Sequence, residues 1–130
     1  MRRAAPPPDR SYNERPLVLL SSNSLWNVTN FRSEIVNSLA GEGYRIVVAA
    51  PGSVAERQSF ALPAETEALT LDRSGLNPLK DAALVLRYLR LMRARRPAAY
   101  LGWTIKPNIY GALAARVTGV PAILNVSGLG

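Results

Sequence analysis

Four short polar segments of this 130-residue sequence carry the side chains best suited to holding a ligand. SSNSLWNVTNFR offers Asn27, Asn30 and Arg32; LDRSGLNP offers Arg73; TIKPNIYG offers Lys106 and Asn108; SGLG offers paired glycines at 128 and 130. Carboxamides both donate and accept hydrogen bonds and so read sugar hydroxyls. Cations meet phosphate, and glycines let backbone N–H groups approach an anion. The same residue types also serve as ordinary turn and cap residues, so each segment has a structural reading beside the ligand-binding one. The sequence contains no histidine and no cysteine. Histidine metal sites, serine-type triads and a histidine general base are therefore excluded, as are disulfides, thiolate metal sites and cysteine nucleophiles.

These segments follow apolar runs that read as strands. Pro16 opens Leu17–Leu20, residues 46–50 are stopped by Pro51 and Gly52, and residues 68–71, 99–103 and 122–126 complete a set of five expected strands. Between them lie helical patterns. Asn30 is a candidate cap for a helix over 30–40 with Phe31, Ile35, Val36 and Leu39 on its apolar face, Phe31 being assigned to the core. A short helix is expected over 53–62, a long one over 78–96 from Pro78 to the stop at Pro97, and another over 108–118 closed by Gly119. Strands buried on both faces and alternating with helices predict an α/β fold with a Rossmann-like, doubly wound parallel sheet over residues 16–130. Ligands of such sheets gather at the carboxyl ends of the strands, where the four polar segments fall. Residues 1–15, rich in Pro and Arg, read as a flexible leader.

Sixteen Lys and Arg against nine Asp and Glu give a net charge of +7. The excess is concentrated in residues 78–96, where Lys80, Arg87, Arg90, Arg93, Arg95 and Arg96 face only Asp81. On a helix, Lys80, Arg87 and Arg90 fall on one side, with Leu79, Ala82, Val85, Leu86, Leu89 and Met92 expected on an opposite, core-facing side. The basic side has two open readings: attraction to anionic lipid headgroups, or a solvated face whose terminal arginines complement the helix dipole. Nucleic acid is not an expected partner, because no binding module is present and the aromatics are not interleaved with the charges. No apolar run approaches the roughly 18 to 20 residues needed to span a bilayer, and no secretory signal opens the sequence. The expected location is cytoplasmic, with a peripheral position on the cytoplasmic face of the inner membrane if the basic helix binds lipid.

The segments WNVTNFR (26–32), LDRSGLNPLKD (71–81), TIKPNIYG (104–111), AARVTGVP (114–121) and NVSGLG (125–130) together resemble the N-terminal half of bacterial glycosyltransferase family 4 enzymes, in order and over residues 16–130. The capsular and lipid-linked polysaccharide enzymes are the most similar branch. The resemblance implies a GT-B fold, in which two Rossmann-like lobes face across a cleft. A sugar passes from a nucleotide-sugar donor with retention of configuration and with no required metal or other cofactor. It further implies that this stretch is the acceptor-side lobe, that the donor-binding lobe lies outside it, and that these 130 residues are inactive alone.

By the same resemblance Asn27, Asn30, Arg32, Arg73, Lys106 and Asn108 are acceptor-binding, Arg73 meeting an acceptor phosphate. Ser127, Gly128 and Gly130 border the donor diphosphate, and Lys80, Arg87 and Arg90 face the membrane. Many relatives carry histidine where Ser127 stands, so no side-chain base is assigned. Asp72, the nearest carboxylate, reads as a turn residue, which leaves the catalytic residue unknown. The implied partners are a nucleotide-sugar donor, a polyprenyl-diphosphate-linked glycan acceptor and a donor-lobe chain. The rival reading is a non-catalytic acceptor-binding or anchoring subunit that recruits a separate donor-binding chain. A dehydrogenase-like or epimerase-like nucleotide site is disfavoured, since SSNSLWN replaces the G-x-G-x-x-G expected after the first strand.

Overall fold

In the computed structural model, which describes residues 12–71 and 77–125, five parallel strands form one sheet in the order β3-β2-β1-β4-β5. They are β1 (Leu17–Ser21), β2 (Arg45–Ala50), β3 (Glu65–Ala68), β4 (Ala99–Trp103) and β5 (Ala122–Asn125). β1 is central, pairing Leu19 with Val47 of β2 on one side and with Tyr100 of β4 on the other. Every residue of β1 is buried, as a strand covered on both faces requires. The fold is thus the Rossmann-like α/β arrangement expected from the sequence.

Two apolar layers flank the sheet. On one face Leu17, Leu19, Val47, Ala49 and Tyr100 pack against Leu84, Tyr88 and Met92 of α4 (Pro78–Arg95) and Ala114 and Ala115 of α5 (Ala112–Thr118). On the other, Val18, Leu20, Ile46, Val48, Leu101 and Trp103 pack against Leu25 and Val28 of α1 (Leu25–Phe31) and Val36 of α2 (Ser33–Gly41). A short α3 (Val54–Gln58) begins with a capping box between Ser53 and Glu56.

Several expectations change. The first helix is two: Ser24 caps α1 by accepting the Asn27 N–H, whereas Asn30 spends its amide nitrogen on the Trp26 carbonyl. Ser24 wins because it immediately precedes an apolar pair, Leu25 and Val28, that the sheet can bury. Phe31, assigned to the core, is 61 % exposed. The third strand runs over Glu65–Ala68 rather than 68–71. Its polar sequence suits a sheet edge, where Glu65 meets Arg45 (2.7 Å) and Arg95 (3.0 Å) and Glu67 meets Arg95 (2.6 Å). The Arg45 guanidinium, with Tyr12 and Arg95, lowers the Glu65 pKa to about 2. Finally, α4 buries Asp81, Leu84, Tyr88 and Met92, while Leu79 and Leu86, expected in the core, are 83 % and 52 % exposed. Leu79 and Leu86 lie on the same outward side as exposed Arg87 and Arg90.

The helix expected over 108–118 starts earlier, as a π-helical turn over Pro107–Gly111 that runs into α5. Tyr12, expected in the leader, belongs to a short 3-10 turn and donates its hydroxyl to Glu65 at 2.9 Å. Residue 126, the expected end of the fifth strand, lies outside the described residues.

Candidate functional site

The strand order reverses between β1 and β4, so the crevice beyond their carboxyl ends is the place where such sheets bind ligands. Its floor is polar and fully bonded. Ser21, the last residue of β1, donates its hydroxyl to the Ala49 carbonyl (2.7 Å), which leaves the Tyr88 hydroxyl to donate to Ser21 (2.7 Å). Burial pushes the Tyr88 phenol up to about 12, so it remains a neutral donor.

One flank is the segment after β4. Thr104 takes a left-handed conformation (φ 69°), unusual for a β-branched residue, and its hydroxyl turns back to the Trp103 carbonyl. This reversal leaves Ile105 outside and directs Lys106 inward, where its ammonium lies 3.0 Å from Asp81 Oδ1. The Tyr110 hydroxyl donates to the other Asp81 oxygen at 2.9 Å. Lys106 first, and Tyr110 second, hold the Asp81 carboxyl below its ordinary pKa. Asn108 donates to the Asn125 carbonyl at 2.9 Å and so ties this segment to the end of β5, while Asn125 donates to the Gly102 carbonyl. A Cβ on Gly102 would stand 2.8 Å from Asn108 Oδ1 and 3.1 Å from the Tyr100 ring, so a larger residue there would push the Asn108 side chain aside.

The opposite flank is α1. Its first N–H, from Leu25, bonds the Pro51 carbonyl just past β2 at 2.8 Å, and at its far end the Arg32 guanidinium lies 5.2 Å from the centre of the Trp103 ring at the end of β4. A seven-residue helix is about 10 Å long, close to the two strand spacings that separate β2 from β4. α1 therefore begins beside the carboxyl end of β2, and the Arg32 side chain that follows it reaches the end of β4. Asn27 in α1 accepts a hydrogen bond from Ser22 at 2.9 Å; Asn30 is exposed near its far end.

Asn27, Asn30, Arg32, Lys106 and Asn108 are thus brought to one edge, although Lys106 and Asn108 are bonded into the framework. Arg73, Asp72, Ser127, Gly128 and Gly130 lie outside the described residues. Lys80, Arg87 and Arg90 are on the exposed side of α4, Arg87 donating to the Thr70 carbonyl. An open groove of about 320 Å³ beside β3 is lined by Arg87, Arg90 and Arg95, away from the switch point. Among the described residues no helix is long and apolar enough to cross a membrane, and no three carboxylates cluster to hold a metal ion. Sequence reasoning missed Asp81 and Tyr110. Their signal was the lone acid of a basic helix in register with Leu84, Tyr88 and Met92.

The profile of a family described as glycosyl transferase 4-like matches residues 17–130. No curated protein matches the sequence. The fold is similar to MurG of Acinetobacter baumannii, with 16 % identity and TM-score 0.66, covering 88 % of this chain and 37 % of that one. It is likewise similar to a glycosyltransferase from Rickettsia africae, with 12 % identity and TM-score 0.67, covering 85 % and 29 %. UDP-GlcNAc 2-epimerase from Methanocaldococcus jannaschii is also similar, with 10 % identity and TM-score 0.59, covering 87 % and 32 %. At these identities the likeness is one of fold, and the chain spans about a third of the length of each of these structures.

Proposed function

The chain belongs to the glycosyl transferase 4-like family, and from that premise we propose that it is the acceptor-side lobe of a GT-B glycosyltransferase of cell-surface polysaccharide biosynthesis. The lobe acts together with a donor-binding lobe, in the same polypeptide or a separate one, to move a sugar from a nucleotide sugar to a lipid-linked or polysaccharide acceptor with retention. The observation that carries this reading is the family match across all five strands of the sheet, 17–130. The epimerase shares the fold, so the fold by itself does not choose the reaction.

In this reading the acceptor lies over the β1–β4 crevice against Asn27, Asn30 and Arg32, with Arg73 on its phosphate. Lys106 and Asn108 serve it by holding the segment after β4 in place. Ser127, Gly128 and Gly130 border the donor diphosphate. The acceptor oxygen forms its bond to the anomeric carbon as the bond to the nucleoside diphosphate breaks, and the departing phosphate takes the acceptor proton. Ser127 contributes only a hydrogen bond.

The test is sugar transfer by the chain assembled with a donor-binding lobe, compared with the same assembly carrying Asn27→Ala and Asn30→Ala. The expected result is a rise in acceptor KM with nucleotide binding unchanged; weakened nucleotide binding instead would place these residues on the donor side.

The outward side of α4 supports a peripheral membrane position in the same reading. Arg87 and Arg90 stand beside Leu79 and Leu86, which combines charge attraction with apolar side chains able to enter the headgroup region. Flotation with liposomes should require anionic lipid and weaken with salt. Equal binding to neutral vesicles would remove the electrostatic part.

A further inference from the structure

We propose that Asp81 is a specificity-determining residue of the crevice, acting through Lys106. By pairing with that ammonium it makes the flank after β4 electrically neutral, so that this flank takes a neutral, hydroxyl-bearing sugar and disfavours a uronic acid or a phosphorylated sugar. This rests on the reading of the chain as an acceptor-side lobe and deepens it by naming the kind of sugar that meets this flank.

The first observation is the charge inventory. Of Thr104, Lys106, Asn108, Tyr110 and Asn125, which form the flank, only Lys106 is charged. α4 brings Asp81 against it, with the ammonium 3.0 Å from Oδ1 and the two side chains 10 % and 11 % exposed. Held below its ordinary pKa by Lys106 first and Tyr110 second, the Asp81 carboxyl is ionised throughout the neutral range. Opposite unit charges at this separation largely cancel for a group farther away.

The second is where the carboxylate stands. Asp81 is buried in the first turn of α4 on the side that carries Leu84, Tyr88 and Met92, where an apolar residue would continue the packed face. A buried ion pair adds little net stability over apolar packing, because both charges are desolvated. An apolar side chain at this position would also leave Lys106 unmatched at the carboxyl edge, just beyond β4. What the carboxylate supplies is therefore the neutrality of the flank.

The third is the hydrogen-bonding capacity that remains. Asp81 uses both oxygens, one on Lys106 and the other on Tyr110 at 2.9 Å. Lys106 makes one hydrogen bond among the described residues, whereas an ammonium carries three N–H donors. With its charge matched, it still donates to a neutral oxygen such as a sugar hydroxyl. A carboxylate or phosphate at the same place meets Asp81 as a like charge.

The experiment titrates the 130-residue chain with methyl β-glucoside and methyl β-glucuronide, which differ only in a hydroxymethyl group against a carboxylate, and separately with inorganic phosphate. Binding is followed by NMR at the Lys106 side chain and at the Asn108 and Asn125 carboxamides. The parent is expected to prefer the glucoside and to hold no phosphate at Lys106. Asp81→Asn, which unmatches the ammonium, should raise glucuronide affinity relative to glucoside roughly tenfold and create phosphate binding at Lys106. Asp81→Glu should keep the parent's preference. Lys106→Gln, which leaves the Asp81 charge unmatched, should move the ratio the opposite way. Loss of a merely structural contact would weaken both sugars together and move the ratio in neither variant. If Asp81→Asn does not fold, the parent and Lys106→Gln decide.

Phosphate held at Lys106 in the parent, a parent that prefers the glucuronide or binds neither sugar, or a ratio unmoved by either substitution would each overturn the proposal. Its failure is distinguishable from that of the transferase reading. Sugar transfer by the two-lobed assembly with a preference between neutral and acidic acceptors unchanged by Asp81→Asn would remove this role and leave the reading. A ratio that moves as expected in an assembly that transfers no sugar would do the reverse.

Discussion

The two flanks of the β1–β4 crevice are finished in opposite ways. On the side that follows β4, Lys106, Tyr110, Asn108 and Asn125 spend their donors on Asp81, on the Asn125 carbonyl and on the Gly102 carbonyl, and the Tyr100 hydroxyl is bonded to the Pro107 carbonyl at 2.6 Å. On the α1 side, Arg32 keeps an unpartnered donor, its buried Nε, and two aromatic rings face water, whereas the unpartnered buried atom of the other flank is an acceptor, Asn108 Oδ1. Both flanks carry cations and carboxamides, so composition alone does not separate them. The difference is in what each side chain has already been given to bond. A group whose charge is matched within the fold sets the shape of a site, whereas Arg32 has no carboxylate partner among the described residues.

Substitutions should separate a framework flank from a ligand flank. The largest loss of stability is expected from Gly111→Ala, because the added Cβ would fall 1.9 Å from the Tyr100 hydroxyl and 2.2 Å from its ring carbon. Overpacking of this kind should cost roughly 3 kcal/mol, read as a lowered Tm and denaturation midpoint. A variant as stable as the parent would show that the π-helical turn is free to move.

A smaller loss is expected from Lys106→Met, which leaves the Asp81 carboxyl facing only Tyr110. Since Lys106 and Tyr110 hold the Asp81 pKa below its ordinary 3.8 in the fold, their contribution is present above that pH and is lost as the pH falls below it. In the variant the Asp81 pKa should rise and the acid limb of the stability profile should flatten, as measured by carboxyl NMR and acid denaturation. An unchanged Asp81 pKa would mean that the ion pair does not hold this flank.

Least change in stability is expected on the other flank. Arg32→Gln should alter the unfolding free energy by no more than about 0.5 kcal/mol, since it breaks no ion pair among the described residues, while its effect appears in acceptor binding. A large loss on thermal denaturation would instead make Arg32 part of the framework and erase the contrast.

Much of the framework is legible in the sequence, for reasons visible in particular residues. Leu17–Leu20 and residues 46–50 are uniformly apolar because strands covered on both faces have no polar side. Pro78 and Pro97 bracket α4 because proline fits a first helical turn and cannot continue a last one. β3 was misplaced because it is an edge strand, and its ETEA sequence is stabilised by Arg45 and Arg95, distant in the chain.

The sequence by itself determined the fold class, the strand ends at which Asn27, Asn30, Arg32, Lys106 and Asn108 gather, and the absence of histidine and cysteine chemistry. These follow from local pattern and composition, which neighbours in the chain already specify. Tertiary structure alone decided which cation is paired and which has no carboxylate among the described residues. Asp81 lies 25 residues from Lys106, and Trp103 is brought under Arg32 only by the parallel pairing of β1 with β4. It also decided that Phe31 faces water, because α1 ends there and turns into α2 before its apolar pattern can continue. The state of a charged or aromatic side chain depends on its partners in space, and their identity is fixed only when the sheet has formed.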